Sequence, residues 1–370
     1  MKNLIIGAGP SGLAIAGRLA KAGQDFTVIE KGLHIGEAWH HHYDRLHLHT
    51  DRRFSGLPHR PIPKNYPVFV PRLDLIKYWE NYANHFNIKP LFGQALQKLR
   101  REGTFWVAKT ATDTFRAENV MLCTGYNRVP NVPRWPGQEK YQGTILHSSE
   151  YKNADLFRGK NVLVVGMGNS GAEIALDLSQ QAASTFLSVR SPTNIMKRDI
   201  AGKPTQLAAI VMSALLPNRA YDAISRFIQQ RTVGDLSAYG LQTPEYSPSE
   251  GVRMGRIPVL DVGTIEQIKA EKIKVTTGIS HFSATSVELS DGQVLGVDAV
   301  VLATGYRAWL GELVPELEPL LNRRGGVDKL WYDAFPGLYF LGFSEPLTGI
   351  LRGINLDSKK IVKHLTAGGV

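Results

Sequence analysis

Two glycine hexapeptides, each set between an apolar run and a small-residue helix, predict an α/β protein of two Rossmann-like dinucleotide-binding domains. The predicted architecture is three-layered, with antiparallel β-meander insertions. The hexapeptides are Gly7-Ala8-Gly9-Pro10-Ser11-Gly12 and Gly166-Met167-Gly168-Asn169-Ser170-Gly171. A second repeat supports the first: the apolar stretches at 119–126 and 298–306 both end in Thr-Gly-Tyr. Each half therefore opens on a fingerprint and closes on a buried strand.

The first strand is Leu4-Ile5-Ile6, and the helix after it begins Leu13-Ala14-Ile15-Ala16. In this setting Gly7 makes the tight turn, Gly9 admits the backbone to a pyrophosphate, and Gly12 lets helix and strand approach. The helix N-terminus adds free N–H groups for the phosphates. The next strand, Phe26 onward, ends in Glu30, eighteen residues after Gly12, where a carboxylate suits the hydroxyls of a ribose.

Totals limit the possible functions. The chain has 370 residues, enough for two domains, and its 43% hydrophobic and 21% charged content is that of a globular protein. The net charge of +10 is scattered, with no basic run beyond pairs such as Arg52-Arg53 and Arg323-Arg324. Phosphate-bearing small molecules account for it better than nucleic acid does. Cys123 is the single cysteine, which excludes an internal disulfide and a CxxC redox pair. A cytoplasmic location is expected, with no signal peptide ahead of the first strand and no run near the ~20 apolar residues that span a bilayer.

Seven of the eleven histidines lie between His34 and His59, without the carboxylate or cysteine spacing of a metal site, so packing or solvated roles are expected. Five prolines from Pro58 to Pro71 predict an extended segment, and residues 72–86 an amphipathic helix. Residues 91–120 read as an antiparallel meander, with Cys123 in the buried strand after it.

In the second half, the position eighteen residues after Gly171 is Val189, followed by Arg190 and Ser191. With no acid to meet a ribose, this site predicts room for a 2′-phosphate and a preference for NADPH over NADH. Helices are expected at 207–216 and 220–230, as domain core in preference to a substrate entrance or a membrane-facing surface, and a loop at 255–263 before a helix from Ile265. Residues 273–297 read as another meander. A last strand at 337–343 and helix at 356–365 are expected to return to the first domain.

One further motif makes a family resemblance specific. Tyr141-Gln142-Gly143 through His147-Ser148-Ser149-Glu150-Tyr151 resembles the identifying sequence of class B flavin-containing monooxygenases, with Tyr141 for the usual Phe. Tyr151 in place of Trp separates it from the Baeyer–Villiger branch. The segments Tyr43-Asp44-Arg45-Leu46-His47-Leu48-His49-Thr50 and Pro258-Val259-Leu260-Asp261-Val262-Gly263-Thr264 are similar to those of YUCCA-type members, which oxidatively decarboxylate indole-3-pyruvate.

The resemblance implies FAD in the first half (1–155 and a returning segment 298–370) and NADPH in the second (156–297). It also implies insertion of one atom of O2 into a small organic substrate through a C4a-(hydro)peroxyflavin. His49 stands near the position where relatives place a residue beside the reacting flavin edge, so it is the candidate catalytic residue. Lys31, Trp39, Thr50, Thr124, Gly125, Thr304 and Gly305 complete the expected cofactor-binding residues beside the two fingerprints, Glu30, Arg190 and Ser191. N- or S-oxygenation of soft nucleophiles is the alternative chemistry, and a flavoprotein sensor or NADPH oxidase the alternative class.

Overall fold

A computed structural model describes residues 1–366 and divides them into two compact units. The first holds residues 1–40, 50–129 and 306 onward; the second holds 41–49 and 130–305.

The first unit is built on a four-stranded parallel sheet, in the order Thr27–Ile29, Asn3–Ile6, Asn119–Leu122, Leu338–Phe340. Leu4, Ile5, Val120, Leu122 and Phe340 are fully buried, as a parallel sheet covered on both faces requires. The helix Pro10–Lys21 starts on a proline, whose missing N–H costs nothing at that position. It packs against the helix Arg72–His85 so closely that a Cβ on Gly17 would fall on the Tyr82 hydroxyl. The helix Ile350–Thr366 lies on its other side, where Arg18 donates to Ser358 Oγ at 2.9 Å and to the Asn355 carbonyl at 2.9 Å. The expected return of the chain to its first sheet is thus present.

A three-stranded antiparallel meander, Lys98–Glu102, Phe105–Lys109 and Thr114–Ala117, is inserted before the third sheet strand. Its buried Trp106 donates from Nε1 to the Pro336 carbonyl at 2.9 Å.

The second unit repeats the plan with five parallel strands: Ile273–Thr276, Ser184–Ser188, Asn161–Val165, Ala299–Leu302, Thr144–His147. Beside it sits the antiparallel meander Ile279–Phe282, Ser286–Leu289, Val294–Gly296.

Thr144–His147 and Ala299–Leu302 hydrogen-bond into the second sheet, and besides the segment 41–49 the compact units divide at 129/130 and 305/306. Three expectations are corrected here. Ile273–Thr276, expected in the meander, is the edge strand of that parallel sheet. The expected loop at 255–263 contains a strand, Val259–Asp261, paired with Ile195–Lys197. Finally, the helices Thr205–Leu215 and Asn218–Thr232 are not core: the first buries only Gln206 and Ala209, the second only Tyr221, Ser225 and Gln229.

Candidate dinucleotide-binding sites

The two fingerprints fold into the same cradle, one in each unit. Gly7 holds φ +110°, and a Cβ there would lie 2.7 Å from the Cys123 carbonyl oxygen. Its counterpart Gly166 holds φ +101°, with the Ala303 carbonyl oxygen at 2.8 Å. A Cβ on Gly12 would fall on the Gly7 carbonyl oxygen, and one on Gly171 on that of Gly166. The outer two glycines are therefore demanded by the chain itself. The middle ones are not: among the described residues, nothing beyond the immediate chain neighbours lies within 4 Å of a Cβ on Gly9 or Gly168. Each opens the backbone just ahead of a helix N-terminus, Pro10–Lys21 or Asn169–Leu178, and a pyrophosphate fits both places.

In the first unit, Glu30 is buried at the end of its strand, and its two carboxylate oxygens accept from Ala8 N at 2.7 Å and Gly32 N at 2.9 Å. Two amides fix the carboxylate, and the remaining lone pairs suit a ribose diol. Thr124 follows Cys123 at the edge of the cradle, its amide 3.6 Å from the Gly7 Cβ position, and its Oγ1 is buried without a partner among the described residues. A buried hydroxyl of that kind fits a polar ligand. Gly125 beside it is left-handed at φ +68°. Ser11 is buried in the first helical turn. Lys31 is exposed, Trp39 stands edge-on to Trp79 at 5.3 Å, and Thr50 Oγ1 shares a hydrogen bond with Ser55 at 2.8 Å.

In the second unit, Thr304 and Gly305 are tied to Asn131: Thr304 Oγ1 donates to its carbonyl at 2.5 Å, and Asn131 N donates to Gly305 O at 2.9 Å. Asn169 Oδ1 accepts from Leu260 N at 2.7 Å, and Thr264 Oγ1 donates to Ala172 O at 2.9 Å. The 258–264 segment thus braces the fingerprint helix. Its Asp261 is buried, accepting from the amides of Gly263 and Ile265 and from Lys197 Nζ at 2.7 Å. Burial would lower the Lys197 pKa, but Asp261 and Glu266 outweigh it and hold the ammonium above its ordinary value.

Arg190 lies exposed two residues beyond the strand Ser184–Ser188, with Ser191 next to it, also exposed. Its stem runs beside Gly278, whose Cβ position is 3.8 Å from Arg190 Cγ. The neighbouring cations are engaged, Lys197 with Asp261 and Arg198 with Asp199 at 3.5 Å. Arg190→Ala is therefore expected to raise KM for NADPH about tenfold or more and leave KM for NADH nearly unchanged, since a charge-assisted hydrogen bond contributes about 1.5–3 kcal/mol. Steady-state kinetics with both coenzymes checks this; equal effects would place the specificity determinant elsewhere.

Glu173 is a buried organising residue that motif spacing does not reveal. Its carboxylate, buried on the helix Asn169–Leu178, gathers the segment 41–49. Tyr43 Oη donates to Oε1 at 3.1 Å, His49 Nε2 lies 2.5 Å from the same oxygen, and Arg45 Nε is 3.9 Å from Oε2. Burial first, and the Glu173 charge second, push the Tyr43 phenol well above its ordinary pKa. The His49 imidazole is thus bound to a buried carboxylate of the second unit. One signal was available: Glu173 and Asp177 interrupt the apolar run at 172–178, and Asp177 accepts from the buried Tyr151 at 2.7 Å.

The 141–151 motif is the edge strand of the second sheet and its flanks. Tyr141 Oη donates to Val297 O at 2.7 Å, and a Cβ on Gly143 would lie 2.7 Å from Asp298 O. Burial lowers the His147 pKa, outweighing the Gly305 carbonyl, so the neutral ring donates from Nε2 to that carbonyl at 3.1 Å. Its Nδ1 accepts from Ser149 N at 3.2 Å.

Comparison with known proteins agrees with this geometry. Residues 1–362 match the model of the family described as flavin-binding monooxygenase-like. A probable indole-3-pyruvate monooxygenase of Arabidopsis thaliana, YUCCA9, is 38% identical over 98% of this chain and 88% of its own length. Among solved structures, the flavin-containing monooxygenase of Stenotrophomonas maltophilia superposes with a TM-score of 0.74 at 22% identity, over 99% of this chain and 98% of that one. The OTEMO complex with FAD and NADP does so with a TM-score of 0.74 at 14% identity, covering 99% and 85%.

Proposed function

We propose, since this chain belongs to the flavin-binding monooxygenase-like family, that it oxidatively decarboxylates an aromatic 2-keto acid, with indole-3-pyruvate the first candidate. The observation that carries this reading is near full-length similarity, at 38% identity, to a relative named for that activity. The chain is an oxidoreductase using FAD, NADPH and O2, and its two cradles fit two dinucleotides. Its substrate is a small molecule, and its place the cytoplasm.

FAD, when bound, supplies the redox and oxygen-activating chemistry. The protein supplies position. Gly9 and the helix behind it hold one pyrophosphate, with Glu30 on the ribose. Gly168 and its helix hold the other, with Arg190 and Ser191 at the 2′-phosphate. The Asn169, Thr264 and Glu173 contacts fix the second fingerprint helix, so the nicotinamide nucleotide is presented on a rigid element. In the net reaction, keto acid, O2, NADPH and a proton give a carboxylic acid one carbon shorter, carbon dioxide, water and NADP+.

Product analysis under isotopically labelled dioxygen tests the reading. One labelled oxygen in indole-3-acetate is expected, with the other in water. A labelled N-oxide or S-oxide without keto-acid turnover would replace this reading with oxygenation of soft nucleophiles. NADPH oxidation yielding only hydrogen peroxide would refute it as well.

A further inference from the structure

Two helices of the second unit are turned against the usual pattern. Thr205–Leu215 buries Gln206 and Ala209 while Val211 is 48% and Leu215 76% exposed. Asn218–Thr232 buries Ser225 and Gln229 beside Tyr221, while Ile224 is 39% and Phe227 58% exposed. A lone exposed leucine on a surface is ordinary, but two successive helices that leave Val211, Leu215, Ile224 and Phe227 outward while burying Gln206, Ser225 and Gln229 are not.

The charge on this hairpin is net positive. The first helix carries no ionisable side chain, and the second carries Arg219, Arg226 and Arg231. Its one acid, Asp222, accepts from Ser249 Oγ at 2.6 Å, so three arginines stand against one carboxylate. Arg231 lies over the Phe227 ring at 5.2 Å, and Arg226 donates to the Glu245 carbonyl at 2.6 Å. Neither contact neutralises a guanidinium. At 100° per residue, Ala223 and Phe227 lie opposite Tyr221, Ser225 and Gln229, with Arg219 and Arg226 on one flank and Arg231 on the other.

The geometry points to a reversible docking surface for an anionic lipid bilayer, with the hairpin lying in the headgroup layer. Apolar side chains between arginines suit that layer. Charge complementarity selects it over a second copy of this chain, since a two-fold contact would set these arginines against each other. The helices have 11 and 15 residues, about 16 and 22 Å at 1.5 Å per residue, short of the ~30 Å hydrocarbon core. No helix among the described residues is long and apolar enough to cross a membrane, so the contact is lateral.

The test uses the full-length, FAD-loaded protein in flotation with vesicles of phosphatidylcholine, with and without phosphatidylserine. Binding is expected only where phosphatidylserine is present, and is expected to weaken with added salt. Replacing Arg219, Arg226 and Arg231 by Gln is expected to weaken it about a hundredfold, since each surface arginine contributes about fivefold. Leu215→Glu with Phe227→Glu is expected to abolish it. Flavin content and NADPH oxidation, unchanged in both variants, certify the fold. No binding to anionic vesicles, or equal binding to phosphatidylcholine alone, overturns the proposal. A dimer in light scattering that Phe227→Glu dissolves, or preference for polyglutamate over vesicles, assigns the face to protein and overturns it too.

Discussion

Gly9→Val is expected to give a folded protein with almost no flavin. Among the described residues nothing beyond the immediate chain neighbours lies within 4 Å of the new Cβ, so the chain tolerates the side chain. The isopropyl group instead fills the place where backbone and pyrophosphate must touch. Gly12→Val provides the contrast. Its Cβ would strike the Gly7 carbonyl oxygen, so the fingerprint helix cannot pack on its strand and soluble yield should collapse. Flavin absorbance relative to protein, with circular dichroism for the fold, separates the two outcomes. A Gly9→Val protein that purifies yellow at full occupancy would show that the first cradle holds no FAD.

Glu173→Ala is expected to destabilise the protein by about 1–3 kcal/mol for each buried group left without its hydrogen-bond partner. The loss would leave the buried Tyr43 hydroxyl and the His49 imidazole without their common acceptor. The side chain of Glu173 is only 5% exposed and that of His49 15%, so water can compensate little. Glu173→Gln keeps the acceptor oxygen without the charge and should lose about 1–3 kcal/mol. Equilibrium denaturation in urea, followed by tryptophan fluorescence, gives the difference. A cost below about 1 kcal/mol for Glu173→Ala would mean the cluster is already solvated.

The parts of the fold that were readable are those where local chemistry leaves one choice. Apolar runs such as Leu4-Ile5-Ile6 and 162–165 can only be buried strands of a parallel sheet, and the glycine spacings fix the turn and helix after each. Glu30 was readable because it ends a strand at a fixed distance from Gly12. Assignment of every strand to its sheet was not, since Thr144–His147 pairs with Ala299–Leu302 and Ile273–Thr276 with Ser184–Ser188, each far apart in sequence. Likewise, Glu173 meets Tyr43 across 130 residues and His49 across 124, and no local pattern announces either. The helices at 205–232 were misjudged for a different reason: apolar composition reports that a face needs covering, not what covers it.

The two cradles also separate what a glycine fingerprint says about ancestry from what it says about use. Gly7, Gly12, Gly166 and Gly171 are pinned by carbonyl oxygens of the protein's own backbone. A descendant that abandoned its nucleotide would still have to keep them in order to fold. Gly9 and Gly168 meet no such wall, and drift there would leave the scaffold intact. In any chain with this architecture the flanking glycines attest only to the scaffold, and the central residue of each hexapeptide shows whether the nucleotide is still in service.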